Sequence, residues 1–377
     1  MILGGKLPGK VGRRRFFLRL HGQAVKTSPF HGGNPSSILG GVTNQAVRYV
    51  RLFSLLSLRG AQRRGNLIAF ICFIIVNMEN IFGSVHYNSI AVHLKEEFGC
   101  RVVKLALDGG FTCPNRDGTK GRGGCIYCSE SGSGDFASDI PSQIRLISRK
   151  WPEAKYLAYF QSHTNTYGTV DRLRSLWDDA LSYPGVVGLA VATRPDCLPD
   201  DVLDLLSEYN ERTYLWVELG LQTYRDDTAD FINRCYNTSE FEEAMKKLKK
   251  RGIRAVVHEI LSLPGEDSSD ALKTASYISS FEPFGIKLHM LHVMEGTRLA
   301  EIYREAPFPI MGKDEYVDTV VRILERLPQN ITVHRLTGDA PQQALIVPDW
   351  TRNKHVVLGA IQHELSIRNS FQGKYSK

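Results

Sequence analysis

Short apolar segments rich in β-branched residues alternate with amphipathic segments of helical period over most of this chain. Strands alternating with helices of this length are typical of parallel βα units. Six successive units favour an incomplete α/β barrel, with its chemistry at the carboxyl ends of the strands, over a doubly wound open sheet. The predicted strands are 102–107, 156–160, 186–192, 214–221, 255–261 and 286–293, and the predicted helices are 140–150, 170–181, 200–210, 239–251 and 268–280.

Further elements flank this series. The pattern predicts an amphipathic helix at 86–98 that ends before Gly99, a helix at 314–327 and a last strand at 331–335. We therefore divide the chain into a barrel core at 78–300 and a small helix and strand extension at 301–377.

The first 77 residues differ in texture from the rest. They contain twelve Lys and Arg, no Asp or Glu, and no sustained helical or strand period. The apolar run at 67–76 is about half the length that a bilayer-spanning helix needs. We interpret residues 1–77 as a disordered leader, which is either an upstream extension of a true start at Met78 or an organellar transit segment.

Charge is therefore distributed unevenly. Residues 78–377 contain 35 basic and 40 acidic residues, so the net charge of +7 belongs to the leader. A generally basic nucleic-acid-binding surface is not supported, although local basic patches stay open. The candidates for phosphate contact are Arg116, Lys120, Arg122, Arg352, Lys354, Arg368, Lys374 and Lys377.

Three of the seven cysteines lie within sixteen residues, directly after the first predicted strand. Cys113, Cys125 and Cys128 are joined by a loop with a proline and four glycines, which permit tight turns. Three thiolates suit an iron–sulfur cluster with one iron left open, since such clusters are commonly held by four. A zinc site, with Cys100 or a histidine as fourth ligand, is the alternative. Either reading indicates a reducing compartment, so we expect a cytoplasmic protein without a membrane segment.

The segment CPNRDGTKGRGGCIYC resembles the cysteine motif of the radical S-adenosylmethionine (SAM) superfamily. It is most similar to a bacterial family with a long first spacer, related to the elongator catalytic subunit and to oxygen-independent coproporphyrinogen oxidases. The resemblance covers residues 78–377. It implies a partial (β/α)6 TIM-like barrel and a 4Fe–4S cluster on Cys113, Cys125 and Cys128, whose open iron binds SAM.

The resemblance also nominates residues that contact SAM. Tyr127 matches the position beside the adenine, and Gln161 and Ser162 fall where relatives contact the amino group. In the run VELGLQ followed by INR, Gln222 and Arg234 match contacts to the ribose and carboxylate. His258 occupies the place of a ribose-contacting acid, and an imidazole can also bond a hydroxyl.

The implied activity is reductive cleavage of SAM to a 5′-deoxyadenosyl radical, which abstracts hydrogen from the substrate. The electron would come from a reductant such as flavodoxin or ferredoxin. The elongator-like relationship suggests a modified wobble uridine of tRNA as substrate. A small-molecule substrate and a non-catalytic, zinc-stabilised RNA-binding module are the alternatives.

Several charged residues are expected inside the barrel. Glu218 lies among Val and Leu on a predicted strand, so it needs a partner. Lys287 and His289 share one strand face because side chains alternate with a period of two. Outside this set, Arg194 and Asp196 lie where the chain leaves the third strand and can pair with each other.

Overall fold

The computed structural model describes residues 82, 85–132 and 134–376, and the predicted leader at 1–77 lies outside them. Its main sheet has seven parallel strands whose spatial order is β1-β2-β3-β4-β5-β6-β8. A doubly wound sheet would reverse its strand order at a switch point, and this sheet does not. The strands are β1 Val102–Leu107, β2 Lys155–Phe160, β3 Val186–Thr193, β4 Tyr214–Gln222, β5 Arg254–Leu261, β6 Gly285–Met290 and β8 Thr332–Arg335.

The sheet curls into a half-barrel. Lys104 on β1 reaches Glu218 on β4, with 3.8 Å between Nζ and Oε1. Three interstrand spacings of about 4.8 Å separate these strands along a flat sheet, so only a curled sheet brings the side chains together. The predicted α/β class and partial barrel are thus confirmed, and the last strand predicted at 331–335 joins the sheet as β8.

Helices connect the strands and cover the outer face. Their starts follow capping chemistry: Asn237 and Glu240 form a reciprocal capping box, and so do Asp267 and Asp270. The described helices are α1 Ile90–Phe98, α2 Ile140–Ser148, α3 Val170–Ser182, α4 Asp200–Arg212, α5 Asp226–Phe231, α6 Thr238–Lys250, α7 Ser268–Ser280, α8 Arg298–Glu305, α9 Lys313–Arg326 and α10 Lys354–Ile367.

Strand β4 shows how the two faces of the sheet differ. Leu215, Val217, Leu219 and Leu221 belong to the large apolar core that the strands share with the helices. The alternate positions hold Trp216, Glu218, Gly220 and Gln222, of which the last three line an internal cavity. One face of the strand therefore stabilises the fold and the other supplies polar groups to the lumen.

Some boundaries differ from the sequence-based prediction. The helix predicted at 86–98 begins at Ile90, because Ser89 is its N-cap and its Oγ accepts from the amide of Ala91. The strand predicted at 286–293 ends at Met290, and β7, Val293–Met294, pairs instead with β9, Leu345–Val347, in an antiparallel ribbon. None of the described helices has the length and apolar character that crossing a bilayer requires.

Candidate active site in the barrel lumen

The cysteine loop follows β1 at the carboxyl edge of the sheet. Its turns are closed by backbone bonds, from the amide of Arg116 to the carbonyl of Cys113 and from Cys128 to Cys125. Gly124 has a φ of 76°, and a Cβ there would lie 2.8 Å from Nε of Arg116. A larger residue would therefore disturb the turn immediately before Cys125.

Polar hydrogens point at the cysteine sulfurs. The Thr164 hydroxyl donates to Cys113 Sγ at 3.2 Å, and Asn115 Nδ2 donates to Cys125 Sγ at 3.5 Å. Burial and, to a smaller extent, the neighbouring Cys128 and Cys113 raise the pKa of Cys125 to about 12. A cationic iron centre would stabilise the three thiolates that repel one another here, so these residues fit an iron–sulfur cluster.

The three cysteines open on one cavity. All three line it, and none of the described cysteines forms a disulfide. Within the described ranges, no three Cys, His, Asp or Glu side chains converge as the ligands of a single ion would. The three thiols therefore line one cavity, but they do not form the closed coordination sphere of a single ion.

The cavity lies inside the half-barrel and has a volume of about 560 Å³. Successive strands contribute inward side chains to it, as the period of two requires. Lys104 and Ala106 come from β1, and Tyr159 and Ala192 from β2 and β3. The other lining positions on these strands include Thr193, Glu218, Gly220, Gln222, His258, Ile260, Lys287, His289, Met290 and Arg335.

Four of the nominated SAM contacts reach this cavity with the cysteines, namely Tyr127, Gln161, Gln222 and His258. Gln222 has a left-handed φ of 65° at the end of β4, where the register with β5 shifts. A non-glycine residue in this region is uncommon and such residues concentrate at functional sites. The backbone irregularity turns Gln222 towards the lumen edge that holds the cysteines.

The structure does not bring Ser162 to the cavity. Its side chain is fully buried, and a Cβ at Gly134 would lie 1.9 Å from its Oγ. The hydroxyl has no hydrogen-bond partner among the described residues. Ser162 therefore packs against the segment that follows the cysteine loop.

Arg234 is also outside the cavity. Its guanidinium donates to the carbonyls of Leu221, Thr223 and Tyr236 at 2.6, 2.8 and 2.9 Å, and it pairs with Asp226. The side chain is fully buried. Through four of its five N–H groups the guanidinium fastens the loop after α5 to the end of β4, outside the cavity lining.

Arg194 is the guanidinium that sequence reasoning did not place at the site. It lines the cavity, its Nη1 lies 4.0 Å from Cys113 Sγ, and it forms a two-point ion pair with Asp196 at 2.9 Å. The sequence feature that could have indicated this role is Thr-Arg-Pro-Asp at the end of β3, but the same pattern equally indicates a simple ion pair.

A buried charge cluster forms the inner part of the lumen. Glu218 accepts from Trp216 Nε1 and from His258 Nε2, each at 2.9 Å, and forms a very short ion pair with Lys287. The Lys287 ammonium also donates to the Tyr159 hydroxyl at 3.0 Å. Although burial opposes its charge, Lys287 and Lys104 hold the pKa of Glu218 well below its usual value.

The histidines of the lumen are held neutral. Burial and, to a smaller extent, the ammonium of Lys287 lower the pKa of His258 to about 4, although Glu218 opposes the shift. Burial also lowers the pKa of His289, whose ring lies 5.2 Å from that of His258. A neutral His258 with Nε2–H on Glu218 keeps Nδ1 as an acceptor.

Comparisons with known proteins agree with this geometry. The sequence matches the family model of the radical SAM superfamily over residues 115–278 and that of the radical SAM C-terminal domain over residues 283–366. YtqA of Bacillus subtilis (strain 168), an uncharacterized protein, is 48% identical over 297 residues, which cover 77% of this chain and 92% of YtqA. Human Elongator complex protein 3 is 28% identical over 159 residues, or 41% of this chain and 28% of that protein.

The solved structure of archaeal Methanocaldococcus infernus Elp3 with an N-terminal deletion has a TM-score of 0.57 at 15% identity. The match covers 72% of this chain and 64% of that one, and it shows a shared fold. The two family models together cover six of the seven strands of the half-barrel, all except β1, and YtqA is matched over nearly its full length. This chain therefore belongs to the radical SAM superfamily, and it is a radical SAM enzyme whose cofactors are a 4Fe–4S cluster and SAM.

Proposed function

We propose that Cys113, Cys125 and Cys128 hold the cluster and that the enzyme acts on a modified wobble uridine of tRNA. One observation carries the first part: the three thiols share a single cavity at the carboxyl edge of a parallel half-barrel. The hydroxyl of Thr164 and the amide of Asn115 donate to two of the sulfurs, as suits thiolate ligands of iron.

When bound, the cluster and SAM supply radical abstraction of a hydrogen atom. The protein supplies binding, orientation and exclusion of water. Tyr127 offers an aromatic face for the adenine, and Gln222 and His258 offer polar atoms for the ribose. Gln161, after β2, is placed for the amino group. These roles follow from the lining of the cavity and from the resemblance of the motifs.

Two of the nominated contacts receive other roles in this proposal. Arg234 binds backbone carbonyls and positions the end of β4, while Ser162 packs under the segment after the cysteine loop. Arg194 lies beside Cys113 and its ion pair with Asp196 fixes it there, so it orients the first cluster ligand.

The choice of tRNA rests on the similarity to Elongator complex protein 3. The surface proposed to contact tRNA is small, because several of the candidate cations already have partners within the protein. Lys120 pairs with Asp196 and Glu240, Arg368 pairs with Asp318 and Glu364, and Arg116 donates to backbone carbonyls. Arg122 is exposed, and Phe136 is 57% exposed at the mouth of the cavity, where a base could stack. Lys377 lies outside the described residues.

The electron donor and location complete the proposal. A flavodoxin- or ferredoxin-type reductant would deliver one electron to the cluster, and the reducing cytoplasm would keep the cysteines reduced. A small-molecule substrate in the same cavity is the second candidate.

Iron and sulfide analysis of anaerobically purified protein tests the cluster. Wild-type protein should contain about four irons and four sulfides and should release 5′-deoxyadenosine from SAM under reduction. Cys125→Ala should lose both, and Cys100→Ala, a cysteine outside the cavity lining, should lose neither. About one zinc with no iron would overturn the assignment.

The substrate needs a separate test. Modified nucleosides of tRNA from deletion cells should show one wobble-uridine derivative accumulating and its product missing, and the wild-type gene but not Cys125→Ala should restore the product. An unchanged tRNA profile together with intact SAM cleavage would favour the small-molecule substrate.

A further inference from the structure

Positive charge exceeds negative charge on the wall of the lumen. Among the described lining residues, six are Lys or Arg and three are Asp or Glu. Arg194 is neutralised by Asp196, and Arg116 donates to the backbone of its own loop. The remaining cations are Lys104, Lys287, Arg335 and Lys354, and the acids are Asp135, Glu218 and Asp339.

The carboxylates cannot neutralise this set. Glu218 already receives Trp216 and His258 as well as Lys287, so Lys104 approaches it only to 3.8 Å. Asp339 lies 2.9 Å from Lys354 and 3.9 Å from Arg335. Asp135 is bound to the hydroxyls of Ser129 and Ser131 in the cysteine loop. Lys104 and Arg335 therefore have no carboxylate of their own in the described part of the chain.

Curling of the sheet brings these two cations towards each other. Lys104 is on the first strand and Arg335 is at the end of the last one, beside Lys287 in the register. Burial lowers the pKa of Lys104 and the charge of Arg335 lowers it further, while Glu218 opposes the shift. Their side chains are 27% and 32% exposed, so both are open to the lumen.

Cations that share their counter-charges with other cations in a cavity are incompletely compensated, and an anion between them lowers this cost. We propose that Lys104 and Arg335 form a binding site for an anionic group of the substrate, a carboxylate or a phosphate, in the inner lumen. His289 adds a further polar group, since its Nε2 has no partner among the described residues. Lys287 positions Glu218 and Tyr159 and is not itself a ligand. The claim that the anion belongs to the substrate rests on the proposed function, whereas the anion site itself does not.

Binding of small anions to the SAM-saturated holoenzyme tests the site. The probes are N-acetylglycine for the carboxylate and methyl phosphate for the phosphate, measured by calorimetry at constant ionic strength. Wild-type protein should bind one of them, and Lys104→Met and Arg335→Met should each weaken it at least about tenfold, because each removes one charge-assisted bond. Lys273→Met, on the outer helix α7, should leave the affinity unchanged. The probe that binds identifies the group.

Folding and SAM binding are the controls. Lys104→Gln keeps a polar side chain and covers the case in which Lys104→Met does not fold, and iron content reports an intact site. The anion site would be refuted if neither probe bound the wild-type protein. It would also be refuted if the Lys104 and Arg335 variants bound the probe with wild-type affinity. Weaker binding of SAM itself in these variants would assign the cations to the cofactor instead. Loss of SAM cleavage in wild-type protein with anion binding intact would count against the proposed function alone.

Discussion

His258 Nε2 donates a 2.9 Å hydrogen bond to Oε2 of Glu218, joining strands β5 and β4 inside the lumen. The same oxygen accepts the ammonium of Lys287 from β6. One carboxylate therefore binds three adjacent strands together at the point where the barrel is polar. We therefore expect the stability of the protein to depend on the protonation of His258 and on the charge of Glu218.

The free energy of unfolding should fall as the pH drops from about 6.5 towards 4. Burial lowers the pKa of His258 to about 4 in the folded protein, whereas the unfolded chain titrates near 6.5. Between these two pH values the unfolded state binds more protons than the folded state. The contribution of His258 to stability is therefore fully present above about pH 6.5 and is lost as the pH falls towards 4. Each such histidine contributes up to about 1.4 kcal/mol per pH unit.

His258→Gln isolates the contribution of this histidine, because its carboxamide can still donate to Glu218 but does not titrate. Anaerobic urea unfolding at several pH values should show a shallower loss of stability in this variant. His355→Gln, an exposed position on α10, should retain the wild-type slope. A wild-type slope in His258→Gln would mean that His258 is charged in the folded state.

Glu218→Gln should lower the free energy of unfolding by about 3–5 kcal/mol, because it leaves the buried Lys287 without a counter-charge. Combining it with Lys287→Met should cost less than the sum of the two single changes. The matched control is Glu243→Gln, whose exposed pair with Lys247 on α6 is screened by solvent, so its loss should change stability little. Additive losses in the double variant would show that Glu218 and Lys287 act independently.

The fold could be predicted because each part of the sheet satisfies a local rule. Leu215, Val217, Leu219 and Leu221 alternate with inward residues on β4, and the capping box at Asn237 marks the start of α6. The start of α1 was misplaced, since His86 fits a helical pattern but Ser89 caps the helix. The placement of β8 next to β6 depends on packing between distant segments, which local patterns do not encode.

The site was predictable in part for the same reason. Cys113, Cys125 and Cys128 are neighbours in sequence, so their spacing alone brings them together. Arg234 and Arg194 are both arginines near the ends of strands, and only the path of the chain after α5 decides which one faces the lumen. Lys104 and Arg335 come from the first strand and the last, and they line one cavity only because the whole sheet curls.

Gly220→Ala should weaken SAM binding with little change in stability. A Cβ at this position would lie 2.4 Å from Nε2 of Gln222, which is the end of a flexible side chain and can move aside. Moving it would displace the proposed ribose contact from the lumen. Equilibrium dialysis of SAM with anaerobic holoenzyme measures the effect. Gly359→Ala, with nothing within 4 Å of its added Cβ, is the control. Unchanged SAM affinity in both Gly220→Ala and Gln222→Ala would remove Gln222 from the site.

Arg234→Met should lower the free energy of unfolding by about 3 kcal/mol or more, because it removes the guanidinium donors of the buried carbonyls of Thr223 and Tyr236. SAM affinity of the fraction that remains folded should stay within about twofold of wild type, since the guanidinium does not reach the cavity. Arg225→Met, a partly exposed arginine with two acidic partners, should cost less than about 1 kcal/mol. If Arg234→Met kept wild-type stability and lost SAM binding, Arg234 would be a cofactor ligand and its fastening of β4 would be incidental.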